Sequence, residues 1–201
     1  MMGYVGDSSS GKCTSPPEHL KILLEQNDSS VKLDIASLAV PGMTTMDVLH
    51  TFLSSKRYIA ASRIAIVLCG TNDLGYGARS PESIFETLQQ IFSEVHQHSP
   101  GCHVIATTIP PIGFQDKRLD QARTQLNTLI QEWPAKNPSP DKKISVLDLY
   151  SLLPYDHDTP RWSSMRATPS MFHEDGIHYS PNGYAHVGKL YYEHVLAQGC
   201  L

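Results

Sequence analysis

The chain has 201 residues, 40% of them hydrophobic and 18% charged, which is the make-up of one ordinary globular unit, so residues 1–201 are read as a single domain. Sixteen Lys and Arg against twenty Asp and Glu leave a formal net charge of −4, with no basic run denser than Lys142-Lys143, which argues against a nucleic-acid partner. Apolar runs such as Ile64 to Cys69 fall far short of the roughly 18 residues that cross a bilayer, so no stable membrane insertion is expected.

Met1 to Val5 reads as a first strand, and Met1 to Asp7 carries neither the basic nor the apolar region of a secretory signal, so a cytoplasmic or other intracellular location is expected. Pro17 opens a helix through Gln26 with Leu20, Leu23 and Leu24 at helical spacing, and Val31 to Ala36 reads as a second strand. Thr44 or Thr45 caps a helix through Leu53. Arg63 to Cys69 is a continuous apolar strand suited to burial on both faces. Ser80-Pro81 starts a helix with Ile84, Leu88, Ile91 and Val95 on one face. His103 to Thr108 is a fourth strand, Gln115 to Trp133 a helix, Asn137 to Pro140 a surface turn and Ile144 to Asp148 a fifth strand. Ser151 to Asp175 lacks periodicity and reads as a loop walling a pocket, before a last helix from Ser180-Pro181 to about Ala197. Strands alternating with helices predict an α/β fold, a parallel five-stranded sheet covered on both faces. Cys13, Cys69, Cys102 and Cys200 follow no zinc spacing and are expected to be reduced and inert, with a Cys13–Cys200 pairing the minority reading.

In such a sheet ligands bind beyond the carboxyl ends of the strands. The residues there are Gly6-Asp7-Ser8, Pro41-Gly42, Gly70-Thr71-Asn72-Asp73 and, before the last helix, Asp175-Gly176-Ile177-His178. Acyl transfer needs a hydroxyl, a base within hydrogen-bond reach, a carboxylate that orients the base, and donors aimed at the oxyanion. Ser8 supplies the nucleophile, His178 the base and Asp175 its partner. The N–H groups of Ser8 and Gly42 and the amide of Asn72 supply the oxyanion hole. Each residue also has a plainer reading: Ser8 as a turn serine, Gly42 as a type II turn glycine, Asn72 as a turn residue. Asp7 and Asp73 are read as structural. His173, Glu174, Asp175 and His178 do not form a His-Glu-x-x-His pattern, so no metal is expected. His96, His98, His186 and His194 fall on helix faces and receive no role. Tyr76, Trp162, Phe172 and Tyr179 either line a pocket or pack the loops.

These four blocks, in this order, resemble those of the SGNH (GDSL) hydrolases, and Arg123 to Asn127 and His178 to Tyr184 read like that family too. The resemblance implies a flavodoxin-like, three-layer α/β/α sandwich that hydrolyses a small-molecule carboxylic ester or thioester through an acyl-enzyme, with no metal or organic cofactor. The first block departs from the family pattern, because Ser8 is followed by Ser9-Ser10 where an aliphatic residue is usual. That departure motivates an alternative, a catalytically impaired binding or scaffold protein. No Gly-x-Gly-x-x-Gly or P-loop string supports nucleotide binding.

Overall fold

Three apolar runs pair into a parallel sheet: β1 (Ile64–Val67), β2 (His103–Thr107) and β3 (Ile144–Leu147), in the order β1-β2-β3. The computed structural model describes residues 15–30, 32–55, 60, 62–77, 79–111, 117–139, 141–153, 171–173 and 177–200. Around the sheet run α1 (Pro16–Asn27), α2 (Thr45–Ser54), α3 (Thr71–Tyr76), α4 (Pro81–His98), α5 (Lys117–Lys136), α6 (Leu149–Leu152) and α7 (Pro181–Ala197).

The strands are buried on both faces, so their residues sort by parity rather than by polarity. Ile66, Ile105 and Leu147 face a layer that includes Leu20 and Leu24 of α1 and Tyr184, Val187 and Tyr191 of α7. Ala65, Val67, Val104 and Ala106 face the opposite layer, where Leu49 and Phe52 of α2, Ile84, Leu88, Ile91 and Val95 of α4, and Leu126 and Ile130 of α5 pack. This is the expected α/β/α arrangement.

The helix starts follow their sequence signals. At α1 the Glu18 carboxylate accepts from the Ser15 backbone N–H at 2.7 Å, and two prolines fill first-turn positions whose N–H groups would have no intrahelical partner. Thr44, rather than Thr45, caps α2 through a reciprocal box with Asp47. Ser80 and Ser180 cap α4 and α7 by accepting from Ser83 and Gly183. Helix α5 runs three residues past Trp133, with Pro134 in its last turn.

Of the five expected strands, Met1 to Val5 lies outside the described residues, and Val31 to Ala36 needs correction. Residues 32–36 form no regular strand, and Lys32, Asp34 and Ile35 are exposed. The reason is local: the Leu33 N–H is taken by the Glu25 carboxylate at 3.3 Å instead of by a strand ladder. Cys69, Cys102 and Cys200 are free thiols, and Cys13 lies outside the described residues. Burial, helped by the nearby Asp73 charge, pushes the Cys69 thiol up to about 12, which keeps it protonated and unreactive.

Helices α1 and α7 approach closely because Gly188 has no side chain. A Cβ there would lie 2.4 Å from the Cβ of His19 and 2.9 Å from the Pro16 carbonyl oxygen, so the two backbones would have to separate. Gly188→Ala is expected to lower unfolding stability in urea by about 1–3 kcal/mol. Gly75→Ala, at a site with no atom within 4 Å of the added methyl, is expected to be neutral or mildly stabilising.

Candidate active site

The chain enters α2 through a turn in which the Met43 N–H donates to the Val40 carbonyl at 3.3 Å. Pro41 and Gly42 occupy its two central positions, and Gly42 has φ +78°, the value a type II turn demands at its third residue and one that side-chain-bearing residues adopt only under strain. Helix α3 begins just beyond β1 and reaches back to this turn: Asn72 Nδ2 donates to the Met43 carbonyl at 2.9 Å. One helical turn later Tyr76 stands on the same face of α3, its hydroxyl 3.5 Å from the Gly42 carbonyl and its side chain 66% exposed. Gly42 and Asn72 are thus brought together on one rim.

Beneath that rim sits a buried ionic network. Asp73 is 2% exposed, and its carboxylate accepts from both the backbone N–H and the hydroxyl of Thr45, each at 2.8 Å. Arg79 Nη1 lies 3.2 Å from the same carboxylate and also donates to Thr45 Oγ1 at 2.9 Å, while its Nη2 donates to Thr87 Oγ1 at 2.7 Å. Asp73 is structural, as expected, but it anchors the first turn of α2 rather than the residues that follow it. The carboxylate lies where the helix presents unpaired N–H groups and the positive end of its dipole.

The neighbouring part of the rim is held by amide and hydroxyl pairs. Asn127 of α5, buried on the apolar stripe beside Leu126 and Ile130, accepts from the Ile109 N–H at 2.7 Å and donates to the Ile109 carbonyl at 2.9 Å. Thr108 donates to Asp148 at 2.9 Å and accepts from the Tyr150 N–H at 2.9 Å, which joins the segments after β2 and β3. Arg123, also buried on α5, pairs with Asp120 and lies 5.4 Å from the centre of the Tyr150 ring. Arg123 and Asn127 bound the stretch of this helix that resembles the family, and both interrupt the apolar stripe of α5.

His178 leads into α7 on a short antiparallel ribbon. The His173 N–H donates to the His178 carbonyl at 2.8 Å, the Ser180 N–H to the Met171 carbonyl at 3.0 Å, and Phe172 bridges Tyr179. Tyr179 then donates to the Pro111 carbonyl beyond β2 at 3.4 Å, which sets the His178 segment at the carboxyl edge of the sheet. Gly183 permits this docking, since a Cβ there would fall 2.1 Å from the Met171 carbonyl oxygen. Phe172 and Tyr179 are buried against each other with ring centres 5.1 Å apart, so they pack the ribbon rather than line a pocket. Burial pushes the Tyr179 hydroxyl pKa upward, which keeps it a neutral donor. Ser8, Asp175 and Trp162 lie outside the described residues. Among the described residues, no cluster of three or more His, Cys, Asp or Glu side chains is arranged to hold a metal, and no helix is long and apolar enough to cross a membrane.

The Asp73 network generates a direct test. Asp73→Ala removes the acceptor shared by Thr45 and Arg79 and so unties α2 from α3, and is expected to reduce unfolding stability by about 3 kcal/mol, measured by chemical denaturation.

The sequence matches the family model described as GDSL-like Lipase/Acylhydrolase family over residues 4–186. No curated protein matches it in sequence. Among solved structures it is similar to a lipase, Lip_vut3, from a goat rumen metagenome, with TM-score 0.70 and 12% identity over 89% of this chain and 86% of that one. It is also similar to a carbohydrate esterase family 3 protein from Talaromyces cellulolyticus, with TM-score 0.64 and 15% identity over 90% of each chain. An acetyl esterase variant crystallised with an acetate ion gives TM-score 0.65 and 16% identity over 93% of this chain and 91% of that one. At such identities these structures establish the common α/β fold, and the family match carries the assignment: a chain whose Gly42 turn and Asn72 helix meet at the carboxyl edge of a parallel sheet belongs to the GDSL-like lipase/acylhydrolase family, whose fold supports ester hydrolysis in general.

Proposed function

We propose that the protein is a serine esterase acting on a small or lipid-like carboxylic ester, with Ser8 as nucleophile, His178 as general base and Asp175 as the carboxylate that orients the imidazole. The observation that carries the reading is the bond from the Asn72 amide to the carbonyl of Met43, beside Gly42. A primary amide has two N–H donors, and Met43 engages one of them. The second is the donor assigned to the oxyanion, together with the N–H groups of Gly42 and Ser8. The Asp73 and Arg79 network supports this role, because it joins the helix that starts beside Gly42 to the helix that carries Asn72, and the donors need no reorganisation as charge develops.

In the acylation step Ser8 Oγ attacks the ester carbonyl as its proton passes to His178 Nε2, and the carbonyl electrons move onto the oxygen held by the three donors. Collapse of the tetrahedral intermediate breaks the bond to the alcohol, which leaves with the proton from His178. Water then gives a proton to His178 and attacks the acyl-enzyme, and the second collapse frees the acid and returns the proton to Ser8. No redox step or added cofactor is required for this balance. The similar structures are a lipase, a carbohydrate esterase and an acetyl esterase, which supports the bond cleaved rather than one substrate.

Labelling with a fluorophosphonate, followed by peptide mapping, is expected to modify Ser8, and His178→Ala is expected to abolish the label. Ser8→Ala is expected to lower kcat on p-nitrophenyl acetate by at least about 10⁴-fold with the fold retained. A folded chain that takes no label would favour the binding or scaffold reading raised by Ser9-Ser10. Asn72→Ala is expected to lower kcat about 10²–10³-fold, measured on the same ester, with a smaller change in KM.

A further inference from the structure

At the amino edge of the sheet, away from the rim that carries Gly42 and Asn72, one hydroxyl is held between two imidazoles. Ser145 Oγ of β3 lies 2.8 Å from Nε2 of His103 on β2 and 2.8 Å from Nε2 of His194 on the last turns of α7. The sheet register pairs Ser145 with Ile105, two residues along from His103, so parity puts His103 and Ser145 on the α7 face. The three side chains bridge two strands and a helix.

A hydroxyl has one proton to donate. With both imidazoles neutral, Ser145 donates to one Nε2 and accepts from the N–H of the other, so the chain is complete. A first proton is accommodated on the Nδ1 of the ring that already donates. A second must enter the Nε2 that accepts from Ser145, and there it ends the hydrogen bond. Among the described residues, the titratable groups set against His103 are basic types: His194 of α7, Lys143 before β3 and His96 of α4. Lys143 also stands near Cys200 after α7. His96 is buried, its Nε2 is 3.3 Å from the Lys143 carbonyl, and its Nδ1 has no hydrogen-bond partner among the described residues. A groove of about 480 Å³ lined by His103, Asn137, Ser139, Lys142 and Lys143 opens His103 to water.

We propose that the His103–Ser145–His194 bridge is an acid-sensitive latch that clamps the end of α7 to the sheet and opens when both imidazoles are protonated. Burial and the neighbouring basic groups hold the His103 pKa below its ordinary value, and burial does the same for His194. The unfolded chain therefore binds protons that the latched form resists. The stabilisation is complete above the ordinary histidine pKa of about 6.5 and is lost as pH falls below it.

The test is hydrogen–deuterium exchange of residues 190–197, corrected for intrinsic rate, at pH 7.5 and pH 5.0, with imidazole titration followed by NMR. The wild-type chain is expected to lose at least about tenfold protection there on acidification, a change tied to the second of two coupled histidine protonations. The His103→Gln, His194→Gln double variant, which keeps hydrogen-bonding side chains that do not titrate, is expected to show no such loss. Ser145→Ala is expected to be poorly protected at both pH values, and His98→Gln to behave as wild type. Equal wild-type protection at both pH values, independent titration of His103 and His194, or an acid loss that persists in the double variant would each overturn the latch.

Discussion

The carboxylate of Asp73 is the constraint on which the candidate site depends. Buried from water, it is tolerated because three donors converge on it: the Thr45 N–H, the Thr45 hydroxyl and the Arg79 guanidinium. Two of those donors belong to the first turn of α2, and Asp73 itself belongs to the first turns of α3. One ionised group therefore fixes the relation between two helices whose residues are far apart in sequence. The Gly42 turn leads into the first helix and Asn72 lies on the second, so their separation is set below the surface, by a group that takes no part in the proposed chemistry.

The same device recurs along the carboxyl edge of the sheet. Asn127 completes both backbone groups of Ile109, Thr108 links Asp148 to Tyr150, and Tyr179 reaches Pro111. Each support brings a polar group from one element to backbone or side-chain groups that have left a strand ladder and would otherwise be buried without partners. Apolar packing alone would bring these segments together without fixing their angle, because hydrophobic contact is not directional. Directional bonds at the edge, over a non-directional core, let a sheet end in loops that hold a shape.

The layers of this fold were legible because burial on both faces leaves an unmistakable trace in β1 and β2, whose apolar runs are continuous, and because the α4 residues Ile84, Leu88, Ile91 and Val95 recur on one face. Gly42 and Asn72 are read together from the sequence for a different reason, that a parallel sheet gathers ligand-facing groups beyond its strand ends, and the Asn72 side chain does meet the Gly42 turn. Asp73 was placed correctly as structural, yet its partner Thr45 stands 28 residues earlier, and no local pattern encodes such a contact. The reading of Val31 to Ala36 as a strand failed for a related reason, since a Glu25 carboxylate on the preceding helix claims the Leu33 N–H. His96 and His194 looked alike on amphipathic helices, but one is buried and the other shares Ser145 with His103. Periodicity reports which face is apolar; it does not report what a polar residue on the margin of that face will meet.

The two edges of the sheet thus use polar groups in opposite ways. At the carboxyl edge the supporting donors and acceptors are amides, hydroxyls and a carboxylate paired with a guanidinium, with no imidazole among these bonds. At the amino edge the connection runs through two histidines, and the described groups acting on His103 are basic, which is what makes the proposed latch sensitive to acid. Helix α7 belongs to both, beginning three residues after His178 and ending beside the His194 bridge. Its first turn is docked by Gly183 against the Met171 backbone, and its middle by Gly188 against α1, contacts of shape that acid leaves untouched. Protonation at the far end would accordingly fray the last turns of α7 while the closely packed portion stays seated, which confines the response to the end of the helix remote from the candidate active site.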